Sequence, residues 1–137
     1  MDEKTHATDS RLVLISKAQD LLANDSYTLS RLLTPAELAQ ASARENPAEY
    51  LAGHLAAKAA AADALARLLP EGLAVDPLEL ETLDAPSGAP VCTVHGSLSA
   101  AMAARGMSAP RVSITNEAGA ALAIAVIVAP AAGGEGA

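Results

Sequence analysis

Neither phenylalanine nor tryptophan occurs in this chain of 137 residues, and Tyr27 and Tyr50 are its only aromatic residues of the Phe, Trp and Tyr class. The interior must therefore be built from Leu, Val, Ile and abundant Ala, side chains that each remove little apolar area from water. So thin a core favours further burial between identical subunits, and an oligomer is expected. The single cysteine, Cys92, excludes an intrachain disulfide and cannot form a thiolate zinc site alone, which fits a reducing compartment. It falls within a strand pattern and reads as core filling rather than as a nucleophile. Basic residues are also scarce: nine Lys and Arg stand against sixteen Asp and Glu, a formal net charge of −7. The nine are scattered and form no basic stripe, which argues against nucleic acid as a partner. No continuous apolar run reaches the ~18 residues of a membrane span, and Met1 to Ser10 is polar and charged. Neither membrane insertion nor export is signalled, and the cytoplasm is the expected compartment.

What is present points to one α+β domain over residues 10–129, with loose tails at 1–9 and 130–137. Arg11 to Ile15 (RLVLI) reads as a short buried strand, and Lys17 to Leu22 as a helical turn or two ending near Asn24 and Asp25. Thr34-Pro35-Ala36-Glu37 and Asn46-Pro47-Ala48-Glu49 each place a capping residue, a proline at the first helical position and a glutamate at the third. Two helices start there. The second runs to about Leu69 and is stopped by Pro70-Glu71-Gly72, which makes it the central helix. Leu78 to Leu83 and Val91 to His95 flank a Pro/Gly-rich turn as a hairpin. Ser97 to Arg105 is a short helix closed by Gly106, and Arg111 to Thr115 with Ala121 to Val128 forms a final strand pair around Asn116-Glu117-Ala118-Gly119.

On the long helix Leu51, Leu55, Lys58, Ala62, Leu65 and Leu69 share one face, so Lys58 interrupts an apolar stripe. His54 lies on the edge of that stripe, whereas Glu49, Asp63 and Arg67 fall on the opposite, solvated side. Lys58 has two readings. In one its ammonium reaches water along its own stem; in the other it is an anion-binding cation in a cleft.

LTPAEL (Leu33 to Leu38), PAEYLAGHLAAKAA (Pro47 to Ala60), DAPSGAP with VHG (Asp84 to Gly96) and VSITNE (Val112 to Glu117) occur in an order and spacing that resembles the small holo-acyl-carrier-protein synthases. These are the trimeric 4′-phosphopantetheinyl transferases. The resemblance spans residues 9–129 and implies their fold, a short antiparallel sheet packed on a long central helix, and a homotrimer with sites between subunits. In that family a glutamate directly follows the lysine of the helix, and an aspartate ends a Gly-Ile-Asp motif on the first strand; the two acids hold Mg²⁺ against the coenzyme A diphosphate. Here Ala59 follows Lys58, and Arg11 stands where the aspartate is expected, with Asp9 as the alternative after a two-residue slip. The family's Ser-His-Glu turn reads Thr115-Asn116-Glu117.

Alanine cannot ligate a metal, and a fixed guanidinium replaces a carboxylate. The resemblance with these departures implies a retained scaffold without Mg²⁺-dependent transfer, one that requires no cofactor and takes coenzyme A or phosphopantetheine as a possible ligand. Arg11, His54 and Lys58 are the candidate binding residues for it. The leading reading is a protein that binds or acts on acyl carrier protein, apo, holo or acylated, in fatty-acid or polyketide biosynthesis; Lys17, Arg31 and Arg44 are the candidate basic patch for that acidic partner. One alternative is metal-free isomerisation, dehydration or cyclisation of a carrier-bound acyl chain through His54, Lys58, Asn116, Glu117 and His95, with His54 as proton carrier. Others are a non-catalytic stabilising subunit and a transferase that remains active.

Overall fold

The computed structural model describes residues 4–130. Strand β1 (Lys4–Leu14) leads into helices α1 (Ile15–Asn24), α2 (Ser26–Leu32), α3 (Pro35–Ser42) and the long α4 (Pro47–Leu68). A short 3-10 turn at Pro77–Glu79 precedes β2 (Leu80–Asp84), β3 (Pro90–Val94), α5 (Gly96–Ala104), β4 (Arg111–Glu117) and β5 (Ala120–Pro130). The sheet order is β1-β5-β4, all antiparallel, and β2-β3 forms a separate hairpin. The expected α+β architecture is thus present, with two small sheets rather than one.

The loose start expected over residues 1–9 is corrected from Lys4 onward, since β1 pairs along its whole length with β5, from Lys4 opposite Pro130 to Leu14 opposite Ala120. Polarity misled because only one face of this strand is covered: Ala7 is buried, whereas Thr8 and Ser10 face outward. Residues 1–3 and 131–137, and with them nearly all of the expected C-terminal tail, lie outside the described residues.

Local signals explain most helix starts. In α3, Thr34 accepts from the Glu37 N–H while the Glu37 carboxylate accepts from the Thr34 N–H, a closed capping box. At α4 the Asn46 side chain accepts from the Glu49 N–H. Asp25, read from sequence as a stop, does close α1 and also caps α2 by accepting from the N–H and hydroxyl of Thr28. The β4–β5 turn is confined to Ala118 and Gly119, both at positive φ (54° and 79°), the two-residue geometry that suits twisted strands, so Asn116 and Glu117 belong to the strand.

Helix α4 is covered on most of its circumference rather than along one stripe. Leu51, Ala52, Ala56, Ala57, Ala60, Ala61, Ala64 and Leu65 are all fully buried, and the three apolar clusters of the core meet on it. Alanine does this because a small side chain lets sheet and helix approach closely. At Gly53 the approach leaves no room for a side chain: an added Cβ would lie 2.8 Å from Ile114 Cγ2 of β4. The outer face of the three-stranded sheet, by contrast, leaves Leu12, Leu14, Leu122 and Ile124 exposed.

Candidate functional site

Lys58 does not reach water. Its side chain is 4 % exposed and its ammonium donates to Glu37 Oε1 at 2.6 Å, with Glu37 itself fully buried. The same carboxylate accepts from the Thr34 N–H (2.7 Å) and, through Oε2, from the Thr82 N–H of β2 (2.6 Å). Burial pulls the Lys58 pKa below its usual value, and the bond to Glu37 opposes that shift. One carboxylate thus joins the start of α3, the middle of α4 and the hairpin. Both sequence readings of Lys58 are corrected: the ammonium is neither solvated nor free for a ligand, because a buried cation requires a counter-ion. Sequence reasoning placed Glu37 in the cap and missed this second role. The available signal was the charge in the apolar stripe, which demanded an acid from another element.

His54 is also buried, at 2 % exposure, and stacks on Tyr50 with ring centroids 3.9 Å apart. Its Nδ1 lies 2.9 Å from the Thr82 carbonyl oxygen, an acceptor, so Nδ1 carries a proton and donates. Its Nε2 lies 3.1 Å from Asp84 Oδ1, a contact that is a hydrogen bond only while the pair holds a second proton. Burial lowers the imidazole's pKa, and the Asp84 carboxylate, the leading opposing influence, raises it. Arg44 holds the other oxygen of Asp84 at 2.9 Å and lies over the Tyr50 ring, 5.3 Å from its centroid. With both nitrogens engaged, His54 is built into the α4–β2 seam rather than presented as a proton carrier. Arg44 is likewise neutralised in place, and Arg31 bonds the Tyr27 hydroxyl, so two members of the expected basic patch are occupied locally.

The remaining candidates separate. Arg11 and Lys58 line a cavity of about 400 Å³ between β1, α1, α2 and α4, together with Ala59, Asp63 and Lys17. His54 and Asn116 line a different, smaller pocket of about 180 Å³. Glu117 ends β4 exposed and lines neither, while His95 pairs with Glu81 at 3.2 Å. Cys92 is buried and its thiol is pushed up to about 11 by burial, as suits core filling.

Asp63 and Arg67 have exposed side chains, as expected of a solvated side, and from there reach across to β1. Arg11 Nε donates to Asp63 Oδ2 at 2.8 Å and Nη2 to Oδ1 at 3.4 Å, and Arg67 donates to Asp9 at 3.0 Å. Asp9 and Arg11 project from the same face of β1, and it is Arg11, not Asp9, that lines the cavity beside Ala59. Asp9 Oδ2 is buried and has no partner among the described residues. The cavity offers a divalent cation a single carboxylate, Asp63, which a guanidinium already engages; this donor set does not fit Mg²⁺.

No family model matches the chain. Curated relatives do: it is 36 % identical over 97 residues to the holo-[acyl-carrier-protein] synthase of Nitratidesulfovibrio vulgaris strain DP4, covering 71 % of this chain and 76 % of that one. It is 35 % identical over 115 residues to the holo-[acyl-carrier-protein] synthase of Salinispora arenicola, covering 84 % and 91 %. The chain belongs to the holo-[acyl-carrier-protein] synthase family. The fold agrees. The ACPS-CoA complex of Chronobacterium ammoniagenes superposes with a TM-score of 0.75 at 23 % identity, over 90 % of this chain and 96 % of that one. The holo-[acyl-carrier-protein] synthase of Neisseria meningitidis gives 0.74 at 24 % identity, over 88 % and 96 %. Among the described residues no helix of this family member is long and apolar enough to cross a membrane.

Proposed function

We propose that this chain is a holo-[acyl-carrier-protein] synthase relative that engages acyl carrier protein, or its phosphopantetheine arm, in fatty-acid or polyketide biosynthesis without Mg²⁺-dependent phosphopantetheinyl transfer. The observation that carries the reading is the Arg11–Asp63 pair beside Ala59. In the family resemblance the cavity wall formed here by Arg11 and Ala59 corresponds to two acids. Here it carries a fixed cation and a methyl group, and the one acid among the cavity's lining residues is already bonded to that cation. A hard cation that must neutralise phosphoryl charge finds no oxygen cage there. The curated relatives support engagement of a carrier protein, since their names state it, and a neighbouring structure determined as a complex of coenzyme A, which carries the same arm, supports the phosphopantetheine part of the reading.

A homotrimer belongs to the same proposal. Leu12 and Leu14 of β1 and Leu122 and Ile124 of β5 form a contiguous exposed apolar face, since Leu12 pairs with Leu122 and neighbours Ile124 across the strands. Burying it against like faces would compensate for the aromatic-free core. Light scattering should give three times the chain mass, and Leu122→Glu should shift it toward the monomer.

The test of the main reading is binding of immobilised chain to apo, holo and acylated acyl carrier protein, measured by interferometry. Saturable binding to at least one form is expected; no contact with any of the three would remove it.

A further inference from the structure

The cavity between β1, α1, α2 and α4 has an uneven distribution of charge. Leu21, Leu32, Leu55, Ala59 and Ala62 supply an apolar wall around a volume of about 400 Å³, in the range of small-molecule sites. Three basic residues line it, and they are not equivalent. The Lys58 ammonium is spent on Glu37, so only its hydrocarbon stem is offered. Arg11 gives Nε and Nη2 to Asp63, which leaves Nη1 without a protein partner among the described residues. Lys17 makes no ion pair among them and acts on Asp25 only at longer range. Of the three lining cations, Arg11 is bonded to Asp63 and Lys58 to Glu37, so Lys17 is the one without a bonded counter-ion beside apolar walls.

We infer that this cavity binds a straight aliphatic chain carrying one anionic head group, the acyl moiety in the apolar part and the anion on Arg11 and Lys17, with no divalent cation. The methyl group of Ala59 is central to the inference. A longer polar side chain there would project into the lumen and fill the space an alkyl chain requires. A polyphosphate or nucleotide is a poorer match, since walls of Leu and Ala offer no hydrogen bonds and one cation without a bonded counter-ion cannot balance several charges. The inference deepens the carrier-protein reading, on which it rests for the source of such a chain. Its test uses free ligands, so a failure here and a failure to bind carrier protein are separate results.

The full chain is titrated calorimetrically with hexanoate, octanoate, decanoate and dodecanoate, with decyl phosphate, and with decanol, each with EDTA and with Mg²⁺. Saturable binding is expected that tightens about fourfold per added methylene until the cavity is full, unchanged by EDTA. Decanol should bind roughly tenfold or more weakly than the better decyl anion, the loss of one charge-assisted hydrogen bond. Decanoate above decyl phosphate, or the reverse, names the head group, and either order supports the site. Arg11→Gln should weaken the anion roughly tenfold while leaving decanol unchanged. Ala62→Phe should abolish all binding by filling the lumen, and unchanged thermal unfolding of Arg11→Gln guards against a folding artefact. Absence of saturable binding at every chain length would overturn the proposal. So would binding that ignores chain length, which marks surface ion exchange, or binding that requires Mg²⁺.

Discussion

Two of the ion pairs anchored on α4, Lys58–Glu37 and Arg11–Asp63, play opposite parts. Lys58–Glu37 is 4 % and 0 % exposed and reaches the start of α3 and strand β2 through further hydrogen bonds; Arg11–Asp63 is 52 % and 40 % exposed and borders a cavity. The first holds α3, α4 and the β2–β3 hairpin in one arrangement, because stripping either partner strands a charge where water cannot reach. The second contributes little to folding, since water and salt screen it, and is free to respond to a ligand. Charge in a site of this kind is informative only once its partner is known. The lysine that stood out in the sequence belongs to the scaffold, and the arginine on the strand faces the cavity.

The largest effect that would break this contrast is at the buried pair. Glu37→Ala should cost roughly 3–5 kcal/mol in urea unfolding, enough to unfold a marginal domain, because it leaves Lys58 and two backbone donors unpaired. The double change Glu37→Gln with Lys58→Met should cost less than the sum of the single changes; additivity would mean that the two groups do not act as a pair.

Gly53→Ala comes next. The added methyl would press on Ile114, and a loss of roughly 1–3 kcal/mol is expected from forced repacking where α4 meets β4. A variant as stable as the parent would show that sheet and helix are not in close contact there.

A smaller effect sharpens the description of the same seam by pH. Since burial sets the folded pKa of His54 below its unfolded value, the unfolded chain binds the proton more tightly. This group therefore stabilises fully above the unfolded pKa of about 6.5 and loses that contribution as pH falls through the folded value. The groups facing it are Asp84 of β2, Glu37 of α3 and the Tyr50 ring. Comparing thermal unfolding near pH 7.5 and pH 5.5 for the parent and His54→Gln isolates the contribution, and the parent should lose more on acidification. An identical pH response in both would assign the dependence elsewhere.

The smallest effect is expected at the exposed pair, where Asp63→Asn should leave the unfolding midpoint nearly unchanged. A loss comparable to that of Glu37→Ala would erase the distinction between the two pairs.

The sequence made the scaffold legible wherever the cause was local. Pro35 and Pro47 with their caps fixed the starts of α3 and α4, and Gly119 fixed the last hairpin. Helix α2 was missed because Asp25 closes one helix and caps the next, and a polar pair reads only as a stop. Residues 4–9 were missed because a strand covered on one face is half polar. At the site, Arg11 and Ala59 were read as departures from the family pattern, and the structure brings both to one cavity. What no local rule could supply was long-range pairing: Glu37 with Lys58, Asp63 with Arg11 and Asp84 with His54 each join elements far apart in the chain. Those pairings decide which charges are free.

The proposed loss of Mg²⁺-dependent transfer rests on the Arg11–Ala59 wall. Intact-protein mass spectrometry of apo acyl carrier protein incubated with this chain, coenzyme A and Mg²⁺, beside a competent transferase, tests it most directly. The account predicts no mass change while the control converts fully; a gain of one phosphopantetheine would contradict it.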